Sequence, residues 1–153
     1  MAELKDTLRR DLTAAMRQQD KFAMQALRMA LAALAAEEVA GAVVRSLAQA
    51  EEEAVLRREL RKRREAAEIY ATAGRPELAA QETAEADLLE RYLPAALSDA
   101  ELDAVVEAEV AALPGATVKQ MGVIVKAVNA RVQGRAEGKT IAAKVKAALG
   151  AVR

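Results

Sequence analysis

The stretch Met121–Gly150, MGVIVKAVNARVQGRAEGKTIAAKVKAALG, decides the fold. Met121, Val125 and Val128 recur at helical spacing, and Ile141, Val145 and Leu149 do so again further on. Between them lies Gly134-Arg135-Ala136-Glu137-Gly138, a glycine-bearing turn. Thr117 stands where an N-cap belongs and Val118 extends the first apolar stripe, so a sixth helix starts there. A seventh runs over about 139–149. Gly122 reads as a second glycine-bearing turn among the same charges.

The rest of the chain repeats this pattern. Leu4, Leu8, Leu12 and Met16 form a stripe that marks a first helix near 3–18. Asp20 caps a second over about 21–40, ended by Gly41. Ser46 is the expected cap of a long third helix to about Ala73, stopped by Gly74. Pro76 suits the first turn of a fourth, with Leu78, Leu88, Leu89, Tyr92 and Leu93 toward the core and Pro94 as its end. Ser98-Asp99-Ala100-Glu101 is a capping box. It opens a fifth helix with core positions Leu102, Val105, Val106, Val110 and Leu113, closed by Pro114-Gly115. No strand-like alternation of β-branched residues occurs, and strong helix formers dominate. The expected fold is all-α: an N-terminal antiparallel four-helix domain, 1–94, followed by a basic three-helix C-terminal domain, 95–153.

Composition narrows the chemistry. About a quarter of the residues are Ala, with one Phe, two Tyr and no Trp, so packing rests on many small contacts. There is no Cys and no His, hence no thiol or imidazole chemistry. The apolar run Phe22–Val44 is broken by Gln25, Arg28, Glu37 and Glu38, which makes it an amphipathic helix and not a membrane span. Glu3, Asp6 and Asp11 among the first basic residues argue against a signal or transit peptide. A cytoplasmic protein without membrane association is expected.

The net charge is zero but unevenly laid out. From Pro76 to Val110 there are ten acids and one base, Arg91; from Gly115 onward eight Lys/Arg face one acid, Glu137. Clustered positive charge on a helical unit suits a phosphate-bearing partner. The candidate residues are Lys119, Lys126, Arg131, Arg135, Lys139, Lys144 and Lys146, with Gly122, Gly134 and Gly138. Lys119 and Lys126 lie two helical turns apart, and Arg135 and Lys139 flank a turn whose helix N-terminus offers backbone N–H groups. A solubilising surface, or a basic face docking on the acidic region, explains the same charges. A second basic face is Arg57–Arg75, with Arg63, Arg64 and Arg75 as candidates. There, Arg61–Glu65 and Arg64–Glu68 pairs offer a plain solvated-helix alternative.

Other chemistry is poorly supplied. Gly134 to Thr140 has three residues between its glycines and follows a helix, so it is not a P-loop. Glu82, Glu85, Glu101, Asp103 and Glu107 lack the Glu-x-x-His pattern of di-metal bundles. The two serines, Ser46 and Ser98, are best used as caps. No catalytic residue, metal or cofactor is expected. The few aromatics point to recognition of a folded RNA by shape and backbone, not to base stacking.

Leu27-Arg28-Met29-Ala30-Leu31-Ala32-Ala33-Leu34, Glu37-Glu38-Val39, Lys62-Arg63-Arg64-Glu65-Ala66, Tyr70, Ala73-Gly74-Arg75, Leu78-Ala79 with Glu82 and Glu85, Tyr92-Leu93-Pro94, Met121-Gly122 and Gly134–Gly138 occur in an order that resembles the YqeY proteins. These are in turn similar to the C-terminal tail domain of the GatB subunit of glutamyl/aspartyl-tRNA amidotransferase. The resemblance covers nearly the whole chain. It departs at Glu137, where the family usually has Asp. It implies a two-part helical fold and a non-catalytic tRNA-binding role, holding tRNA by its folded outer corner. An aminoacyl-tRNA synthetase or amidotransferase is the implied enzyme partner. The family's carbon–nitrogen ligase label, with glutamine as amide donor, belongs to the multisubunit complex. The resemblance places tRNA at Gly134–Lys139, Lys119, Lys126, Arg131 and Lys144. A protein–protein interaction adaptor without RNA binding is the alternative.

Overall fold

Two helix starts in this chain, those after Asp20 and Ser98, are set by side chains that satisfy orphan N–H groups. The Asp20 carboxylate accepts the Ala23 N–H at 3.1 Å, and Ser98 Oγ accepts the Glu101 N–H at 3.1 Å while the Glu101 carboxylate accepts the Ser98 N–H at 2.8 Å. The computed structural model describes residues 3–151. They form α1 (Glu3–Gln18), α2 (Lys21–Glu38), α3 (Gln49–Thr72), α4 (Pro76–Glu90), α5 (Asp99–Ala111), a 3-10 turn (Val118–Gln120), α6 (Met121–Val132) and α7 (Gly138–Ala151). No strand occurs among the described residues, and none of their helices is long and apolar enough to cross a membrane.

Contacts divide the chain into two compact units, Met1–Leu93 and Pro94–Arg153. In the first, Leu8, Leu34, Leu56 and Leu89, one from each helix, are fully buried. Each contributes about 1.5–3 kcal/mol by burial. In the second, Leu102 and Val106 of α5 meet Ile124, Val128 and Val132 of α6 and Ile141, Val145 and Leu149 of α7.

Several positions differ from expectation. Met16 is half exposed, and Ala15 is buried in its place. Steps of four residues advance about 40° beyond a full turn, so a stripe at i, i+4, i+8, i+12 walks off the buried face. Helix α2 ends two residues early, and Gly41 does not adopt the left-handed conformation of a helix stop. Ser46 caps nothing. The chain runs on so that Leu47 enters the core, and α3 starts two residues later than that cap would set, with Ala48 at the N-cap and its N–H accepted by the Glu51 carboxylate at 2.8 Å. Gly74, at φ +75°, does end α3. Leu78 is only half-buried, and Glu85 and Ala86 take inner positions on α4. Leu113 and Val118 are exposed, while Ile124 is buried. Gly122 is helical and forms no turn. Thr117 caps the 3-10 turn, not α6 itself, its hydroxyl accepting the Lys119 N–H at 3.3 Å.

Candidate nucleic-acid interface

Three of the candidate cations are spent inside the second unit. Lys144 Nζ lies 2.7 Å from Asp103 and 3.5 Å from Asp99 of α5. Hydrogen bonding to Asp103 raises its pKa above the usual lysine value. Arg131 Nη1 is 3.3 Å from Glu109, also on α5. Arg135 Nε donates to the Ala95 carbonyl at 2.8 Å, and the Arg135 carbonyl accepts the Leu97 N–H at 2.9 Å. Arg135 thus stitches the 95–97 segment to the α6–α7 turn. Part of the basic segment therefore docks on its own acidic helix.

Lys119, Lys126, Lys139 and Lys146 are exposed, and none has a carboxylate partner among the described residues. Helical phase sorts the two groups. Residues advance about 100° each around an α-helix. On α7, Lys144 lies on one side of the Ile141–Val145–Leu149 stripe, toward α5; Lys139 and Lys146 lie on the other side. On α6, Arg131 lies on the α5 side of Val128, and Gly122 and Lys126 lie across from it. The two helices run antiparallel through a turn in which Gln133 (φ 48°) and Gly134 (φ +80°) are left-handed. Lys126, Lys139 and Lys146 consequently share the surface of the α6–α7 hairpin that faces away from α5, and Lys119 lies exposed in the 3-10 turn just before α6. They form a strip and not a point: α6 has 12 residues, about 18 Å. Lys119 stands at one end and Lys139 at the other.

Gly122 and Gly138 sit in the first turns of α6 and α7. A Cβ at either would meet nothing within 4 Å, and neither has a positive φ. Neither internal packing nor backbone conformation requires glycine there. The Glu137 carbonyl accepts the Ile141 N–H at 3.0 Å, which places Glu137 at the N-cap position of α7.

The second basic face does not survive folding. Arg63 is 6% exposed, with Nη1 3.0 Å from Glu85 and 3.3 Å from Glu82. Arg64 turns to α4, 2.9 Å from both Asp87 and Glu90, and so does not make the pair with Glu68 that its spacing allows. Arg75 pairs with Glu77 at 3.3 Å. Arg57, Arg58 and Lys62 pair with Glu53, Glu37 and Glu59. Carboxylates brought up by α2 and α4, invisible in the local sequence, take Arg58, Arg63 and Arg64, while Arg61 is exposed with no carboxylate partner among the described residues.

A cleft of about 470 Å³ lies beside Val110, Leu113, Pro114, Ala116 and Ala148. Its one ionisable lining group is Glu107, so it offers no acid–base pair. No curated protein matches the chain. Residues 5–149 match the family described as Yqey-like protein. That match takes in all of α2 to α6 and most of α1 and α7, and the chain belongs to the YqeY-like family.

Proposed function

We propose that this protein is a non-catalytic tRNA-binding accessory module, acting beside an aminoacyl-tRNA synthetase or a tRNA-dependent amidotransferase as the GatB tail domain does. One observation carries the proposal: the cations of α6 and α7 are sorted, those toward α5 paired and those facing away unpaired. An outward strip of Lys119, Lys126, Lys139 and Lys146 suits a phosphodiester backbone, which is bound through charge and shape. Gly122 and Gly138 leave the first turns of both helices bare, where N–H groups and the helix dipole favour phosphate. The chain has no Cys or His for acyl transfer, and the Ser98 hydroxyl is engaged as a cap.

Fluorescence anisotropy with labelled tRNA at two salt concentrations tests this. Lys126→Glu combined with Lys139→Glu is expected to weaken binding at least tenfold and to flatten the salt dependence. Undiminished affinity in that variant rejects the proposal. The adaptor reading has one observation in its favour: Val118 and Val123 are exposed beside Lys119 and Lys126. On that reading Val123→Ser disrupts partner binding, and the protein shows no salt-sensitive affinity for tRNA.

A further inference from the structure

The first unit carries a second cationic surface that neither the local sequence nor the family match singles out. The α1–α2 hairpin, Glu3 to Glu38, holds six Lys/Arg and six Asp/Glu, so it is neutral as a segment. Folding polarises it in part. Four of the six acids are turned to other elements or to capping, while Glu3 and Asp6 stay exposed on α1. Glu38 pairs with Lys5, Glu37 lies 3.2 Å from Arg58 of α3, Asp11 accepts the Tyr92 hydroxyl, and Asp20 caps α2. The remaining cations, Arg9, Arg10, Arg17, Lys21 and Arg28, are all exposed, and none has a carboxylate within ion-pair distance among the described residues.

Their spacing is regular. Arg10 and Arg17 are seven apart on α1, so they share the face opposite the buried Leu4, Leu8 and Ala15. Lys21 and Arg28 are seven apart on α2, opposite the buried Ala26, Ala30 and Leu34. Each pair is about 10 Å long on a rigid helix. The α6–α7 hairpin has one such pair, Lys139 and Lys146 on α7, with Lys126 on α6 and Lys119 in the 3-10 turn before it. Each unit thus presents one antiparallel hairpin with outward cations on both helices.

We infer that the α1–α2 hairpin is a second phosphodiester-binding surface, carried by the first unit itself. Guanidinium groups suit this, since each forks onto two phosphate oxygens. This inference rests on the tRNA-binding reading for its ligand, but on different residues.

The test uses the full chain with tRNA. Arg10→Glu/Arg28→Glu is compared with Lys126→Glu/Lys139→Glu and with the unaltered protein, over a range of salt. Arg10→Gln/Arg28→Gln is the milder variant, and circular dichroism confirms that each is folded. The expected result is a loss of tenfold or more from either charge reversal, a smaller loss from the Gln variant, and a lower salt slope in all three. If the unaltered protein does not bind tRNA, both readings fall. If only the Lys126/Lys139 variant loses affinity, this inference falls and the proposed function stands. If only the Arg10/Arg28 variant does, tRNA binding and the α1–α2 surface stand and the α6–α7 strip is not the contact. If the hairpin variant loses binding to anionic lipid vesicles and not to tRNA, the surface serves a membrane and the inference is overturned.

Discussion

Arg63 Nη1 lies 3.0 Å from the Glu85 carboxylate, and both residues are almost entirely shielded from water, at 6% and 2% exposure. The pair joins α3 to α4 inside the first unit, with Glu82, Glu59 and the Met29 sulfur around the same guanidinium. Two desolvated charges hold each other in place, and neither tolerates the loss of the other.

Removing one partner is therefore expected to cost far more than removing both. Arg63→Met strands the Glu85 carboxylate and should lower stability by about 3–5 kcal/mol. Arg63→Met combined with Glu85→Leu should recover most of that loss. Urea unfolding of the two single variants and the double variant measures the coupling; strict additivity would show that the pair is not a unit.

Gly122 and Gly138 separate stability from binding. Since a Cβ at either position enters open space at ordinary φ, Gly122→Ala and Gly138→Ala should leave Tm unchanged or raise it, by up to about 1 kcal/mol of stability. If an RNA backbone approaches these turns, tRNA affinity falls in the same variants. A drop in Tm would mean that the glycines serve the fold instead.

Glu52 should make stability depend on pH in an unusual direction. It is 1% exposed, and its Oε1 has no hydrogen-bond partner among the described residues. Burial raises its pKa above the ordinary carboxylate value, opposed in part by the Lys5 backbone N–H. The folded state thus holds this proton more tightly than the unfolded state. The contribution of this group is most favourable below the unfolded carboxylate pKa and is lost as pH rises through the raised one. Glu52→Gln should have a higher Tm than the unaltered protein at neutral pH, with the gap closing toward about pH 4. A lower Tm at neutral pH would reverse the sign and defeat the argument.

The Ser98–Glu101 box starts α5 and should be separable into its two halves. Ser98→Ala removes the acceptor for the Glu101 N–H and should cost about 1 kcal/mol. The Ser98 backbone and side chain hold the Glu101 carboxyl below its usual pKa. Its contribution is thus present at neutral pH and lost as pH falls through the depressed value. Comparing Glu101→Gln with the unaltered protein in thermal melts at neutral and acid pH checks this: the difference should shrink on acidification.

Much of the helical scaffold could be read from the chain. Asp20 and the Ser98–Glu101 box act where they stand because a cap needs only its own next turn. Ile141, Val145 and Leu149 are buried as their spacing demands. Ser46 misled because the burial of Leu47, a demand of the packed unit, delays α3 past the best local cap. Val118 and Leu113 misled for a similar reason, since an apolar residue at a helix edge has no obligation to be covered.

The candidate site divides along the same line. The sequence alone determined that the chain is helical, where most helices start, and that its C-terminal third is basic, because propensity, capping and composition are local or additive properties. Only the tertiary structure decided which charges remain available. Lys144 and Lys146 are two residues apart, yet one faces Asp103 and the other faces solvent. Arg63 and Arg28 look alike in the chain, yet one is locked against Glu85 and the other stands on an outward face. Charge pairing acts across space over a few ångströms, and the partners that cancel a cation come from helices far away in the sequence.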